Sequence, residues 1–80
     1  MGEEESELSV AARHVAEGRQ RVANQLRRIS RLRALGRSTT DAELTLDAFL
    51  RSLKTLEEHE LHLRKLVEQS QSPRERWVGG

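Results

Sequence analysis

Leu35-Gly36-Arg37-Ser38-Thr39-Thr40-Asp41-Ala42-Glu43 is the stretch that decides the fold. Gly36 offers a left-handed residue that can close a helix, and Arg37-Ser38-Thr39 is a short polar connection. Thr40-Asp41-Ala42-Glu43 then fits a capping box, in which the Thr40 hydroxyl and the Glu43 carboxylate satisfy unpaired backbone N–H groups. Upstream, apolar residues recur at Leu8, Ala12, Val15, Val22, Leu26, Ile29 and Leu32, in steps of three, four and seven with no proline between. Downstream, Leu46, Phe49, Leu50, Leu53, Leu56, Leu63, Leu66 and Val67 repeat the pattern. The reading is an acidic leader over 1–6, a helix over 7–35, a turn over 36–40 and a second helix over 41–70. A tail over 71–80 follows, where Ser72-Pro73 offers one more helical turn. So short a connection forces antiparallel neighbours, and the fold class is all-α, a two-helix hairpin.

Composition agrees. Apolar residues make up 35% of the 80-residue chain and charged residues 34%, with Phe49 and Trp77 the only aromatics, which suits amphipathic helices better than a sheet. Cysteine is absent, so disulfides and thiolate metal sites are excluded. No apolar run approaches the roughly 20 residues a membrane span needs, and Glu3-Glu4-Glu5 is the opposite of a basic secretory leader. A cytoplasmic protein is the expectation. Acylation at Gly2 is not expected beside those acids and without a basic patch.

Two helices of this length leave each core side chain open on one side. Pairing near residues 37 and 38 sets Ile29 against Leu46, Leu26 against Phe49, Val22 against Leu53 and Ala12 against Leu63. Leu46, Phe49, Leu50, Leu53, Leu56 and Leu61 still span an arc of about 140° on the helical wheel, wider than one neighbouring helix covers. The expectation is a homodimer, two hairpins in a coiled-coil-like four-helix bundle. A monomer with arginine stems lying over the seam, or a different protein supplying the missing helices, are the alternatives.

Glu60 and His59 fall where the second stripe wants apolar residues, and Arg19 interrupts the first. A polar layer of His14, Arg19, His59 and Glu60 is therefore predicted, with Arg19 near Glu60. The structural reading is a buried Arg–Glu pair that fixes register or oligomer state. The functional readings are a metal site drawing on His14, Glu17, His59 and His62, or an interface that responds to pH. The histidines are spread around their wheels, and the Glu-x-x-His pattern of helical di-metal bundles is missing, so neither metal nor cofactor is expected.

Charge divides by helix. Residues 13–37 hold eight arginines against Glu17 alone, whereas acids outnumber bases over 41–68. Much of this complements the helix dipoles. Arg21, Arg27, Arg28 and Arg31 lie off the apolar stripe, either as a solvated face or as a face for a partner. That partner is an acidic protein surface, or a nucleic-acid backbone. Net charge is only +1, and no aromatic residues interleave the arginines for base stacking, so nucleic acid is the second choice. Trp77 is either an anchor to a neighbour or part of a loose tail. No nucleophile–base pair, phosphate-cradling glycine loop or catalytic carboxylate pair is present in the sequence, and an enzyme is not expected.

Arg13-His14-Val15-Ala16-Glu17-Gly18, then Gln25, Ile29-Ser30-Arg31-Leu32, Gly36 with Thr39-Thr40, and Leu56 with His59, resemble short, functionally uncharacterised helical proteins of alphaproteobacteria. The resemblance spans roughly residues 11–67. It implies a bacterial cytosolic hairpin and draws attention to His14, Glu17, Gly18 and His59, and it carries no activity. The functional expectation is a non-enzymatic interaction, scaffold or regulatory module acting as a homo-oligomer. The alternative is a nucleic-acid-associated accessory protein using the arginine face.

Overall fold

The computed structural model describes residues 6–71, which form two helices in contact, α1 (Glu7–Ala34) and α2 (Thr40–Gln71). Their 28 and 32 residues give rods of about 42 and 48 Å at ~1.5 Å per residue. The expectations placed on Glu3–Glu5, Pro73 and Trp77 lie outside the described residues.

Each end has a local cause. Ser6, in extended backbone, accepts the Ser9 N–H at 3.0 Å and so caps α1. At the other end, the Gly36 N–H donates to the Arg33 carbonyl at 3.0 Å and the Arg37 N–H to the Leu32 carbonyl at 2.8 Å. This paired closure requires a left-handed residue, and Gly36 supplies it with φ 70°.

The restart differs from the capping box expected at Thr40. Thr40 is already helical, and the Glu43 N–H donates to the Thr39 carbonyl at 2.8 Å, so Thr39 is the capping residue. The Glu43 carboxylate takes the Thr39 hydroxyl at 2.8 Å and Arg33 at 3.4 Å instead of a backbone amide. Ser38 Oγ accepts the Thr40 N–H at 3.3 Å. Starting one residue earlier lets Ser38 cover the first amide and brings Glu43 within reach of α1.

Two ion pairs set the register. Arg33 reaches Glu43 at 3.4 Å and Arg19 reaches Glu57 at 3.1 Å, so fourteen residues back along α1 match fourteen forward along α2. The helices are antiparallel, and side-chain pairing follows the fold point read from the turn.

The core is thin. Ala11, Val15, Gly18 and Ile29 of α1 are buried, as are Ala42 and Leu63 of α2. The inward stripe of α1 thus runs through Ala11 and Gly18, not through Ala12 and Leu26 as the expected seam had it. Gly18 explains the rotation. A Cβ placed there would meet Leu53 Cδ1 at 3.1 Å and Leu56 Cδ1 at 3.4 Å, so the missing side chain is what admits those leucines. Turning the two small residues inward moves Ala12 to the surface and leaves Leu26 51% exposed. Gln25 adds a tie near the turn, donating from Nε2 to the Ala42 carbonyl at 2.8 Å in a partly buried site.

Candidate functional site

One flank of the hairpin is apolar and bridged by charge. Leu26 and Leu50 remain 51% and 46% exposed there, and farther along α2 Leu61 is 49% exposed. Arg19 Nε and Nη2 both donate to Glu57 Oε2, at 3.3 and 3.1 Å, and Arg33 bonds Glu43 nearer the turn. The Arg19 and Glu57 side chains keep 64% and 42% of their surface. Of the other residues in the expected apolar arc, Leu46, Phe49, Leu53 and Leu56 are half-buried.

A second flank collects arginine. Arg21, Arg27, Arg28 and Arg31 line one shallow groove of about 410 Å³ together with Asn24, Gln25 and Phe49. All four arginines are exposed. Arg27 donates to Asn24 Oδ1 at 3.3 Å, and none of the four forms an ion pair with a described carboxylate. Gln25 and Arg28 also belong to an adjoining depression at the turn, with Arg37, Ser38, Asp41 and Thr45. The sequence reading gathered the four arginines but missed Phe49 in their groove and Arg37 beside it. Phe49 was assigned wholly to the apolar seam.

The predicted polar layer divides into three. His14 and His59 line the same hollow of about 330 Å³ at the open end, with Glu7, Val10 and Ala11. Arg19 pairs with Glu57, not with Glu60. Glu60 instead accepts Arg64 on its own helix at 2.8 Å, with its side chain 15% exposed. The reason is register: Glu57 lies opposite Arg19 and shares its flank, whereas Glu60 points along the inner line of α2. Nor is the Arg19 pair buried, as the expected register lock required. His62 and Glu17 are exposed. Among the described residues no group of three or more histidines and carboxylates is placed to hold a metal ion.

The missed residues of the apolar flank, Arg33, Glu43 and Glu57, had a readable signal. Each is two or more full heptads from another flank residue on its own helix. No helix among the described residues is long and apolar enough to cross a membrane. No protein-family model, curated protein or solved structure matches the chain.

Proposed function

We propose that the protein is a non-enzymatic helical interaction module that works as a homo-oligomer and presents its arginine groove to an acidic protein partner. The observation that carries the first half is the exposure of Leu26, Leu50 and Leu61 beside a core whose buried apolar members are Ala11, Val15, Ile29, Ala42 and Leu63. Two of those five are alanines, which bury little area. At ~25 cal/mol per Å² such a core offsets poorly the ordering of two long helices, and a second hairpin supplies the missing area. Folding coupled to association makes stability depend on protein concentration. The midpoint of thermal unfolding, followed by circular dichroism, should therefore rise as the chain is concentrated from micromolar to hundreds of micromolar. A constant midpoint contradicts the proposal.

The arginine groove supports the second half. Arg21, Arg28 and Arg31 make no ion pair with a described carboxylate, and the planar guanidinium binds carboxylates in bidentate fashion. The same unneutralised arginines favour a second reading, a nucleic-acid accessory protein. A mobility shift with single- and double-stranded DNA separates the two. Binding whose logarithm falls steeply with the logarithm of salt supports phosphate contacts. No shift at low salt supports the protein partner.

A further inference from the structure

The exposed leucines and the two inter-helix ion pairs share a heptad spacing. On α1, Arg19, Leu26 and Arg33 are seven residues apart, and on α2 so are Glu43, Leu50 and Glu57. Residues seven apart stay on one helix face, drifting by about 20°. Because Arg33 bonds Glu43 and Arg19 bonds Glu57, Leu26 and Leu50 fall between those pairs at matching height. The flank is a ladder of three rungs: an ion pair, two half-exposed leucines, and an ion pair. Every rung is basic or apolar on the α1 side and acidic or apolar on the α2 side.

We infer that this ladder is the face on which a second copy of the chain docks, with the two-fold axis running along the rods so that both turns lie at the same end. The inference rests on the proposed homo-oligomer and adds its surface and its orientation. A two-fold along the rods swaps left and right at constant height. Leu26 then lies over Leu50 of the second copy, Arg19 over its Glu57 and Arg33 over its Glu43. Each arginine gains a second carboxylate, and the four exposed leucines close over one another. Around the bundle α1 and α2 alternate, so every neighbour is antiparallel and helix dipoles are opposed.

A two-fold crossing the rods does the reverse. It lays α1 on α1 and α2 on α2, which brings Arg19 over Arg33 and Glu57 over Glu43 of the second copy when the leucine rung sits on the axis. When either ion-pair rung does, its arginine lies over its own copy and its glutamate over its own copy. Like charges juxtaposed across an interface disfavour that partner geometry. The ladder therefore selects one of the two arrangements, which the apolar residues alone would not.

The natural chain has no cysteine, so one introduced cysteine reports from one place. Arg37→Cys at the turn and Ser70→Cys at the open end are both at exposed positions, and each is to be spin-labelled in the full chain for pulsed dipolar distance measurement. Packed helices lie ~10 Å apart, so with the reach of two labels the arrangement inferred here gives about 20–25 Å between copies at both positions. With the leucine rung on its axis, the crossed arrangement sets the two positions at unequal distances from that axis. At ~1.5 Å per residue it gives about 35 Å between copies at the turn and about 60 Å at the open end, which would overturn the orientation while leaving the homo-oligomer intact. Absence of any inter-copy distance at hundreds of micromolar overturns the homo-oligomer itself, and the orientation with it.

Discussion

Gly18 is the residue on which the packing depends. In the middle of a helix glycine costs about 1 kcal/mol relative to alanine, so its presence needs a reason. The reason is Leu53 and Leu56, whose Cδ1 atoms lie 3.1 and 3.4 Å from where its Cβ would stand. Gly18→Ala gains helix propensity and requires only side-chain ends to move, so its stability in urea should stay within about 1 kcal/mol of the parent. Gly18→Leu has no such room and should lose about 1–3 kcal/mol in the same assay. Equal stability of the two variants would mean that the helices do not meet closely there. Gly36 is needed for a different cause. Its φ of 70° puts any Cβ under strain, although no atom lies within 4 Å of that site. Gly36→Ala should cost about 1–2 kcal/mol in urea unfolding, and Gly36→Asn less, because asparagine tolerates the left-handed region.

At the scale of the helices, periodicity made the elements legible and small residues hid their rotation. A hydrophobic count weights Leu26 above Gly18 and therefore aims Leu26 inward. Only the approach of α2 against Ala11 and Gly18 reveals that Leu26 sits at the edge. The polar layer was half legible for the same reason. Arg19 was expected near Glu60, nearly one helical turn beyond its actual partner Glu57, because spacing located the polar positions of α2 without resolving which of them faces Arg19. His14 and His59 line one hollow with Glu7, and among the described residues no group of three or more such side chains is placed to hold a metal ion. The Arg19–Glu57 pair is well exposed, so within one hairpin its coupling should be small. A double-mutant cycle through Arg19→Ala and Glu57→Ala should return about 0.2–1 kcal/mol, shrinking in high salt. Gln25 is a sharper tie. Gln25→Ala should lower stability by about 0.5–1.5 kcal/mol with little salt dependence, since it removes a partly buried, uncharged hydrogen bond.

For the whole molecule, the proposed homo-oligomer makes the hairpin one half of a larger bundle. Its inner line is narrow and partly alanine, its edge carries exposed leucines between ion pairs, and its opposite flank carries arginines. The proposed self-association and the proposed partner binding use different surfaces and should separate by mutation. Leu50→Lys should abolish self-association and lower the midpoint of unfolding. Arg28→Glu with Arg31→Glu should leave self-association unchanged while removing any binding to an acidic partner. The most direct measurement is the mass of the parent chain in solution by light scattering coupled to size exclusion, loaded at high micromolar concentration. A mass of twice the 9.2 kDa chain, or a higher even multiple, is the result predicted here. A folded helical species at 9.2 kDa across that concentration range would contradict it.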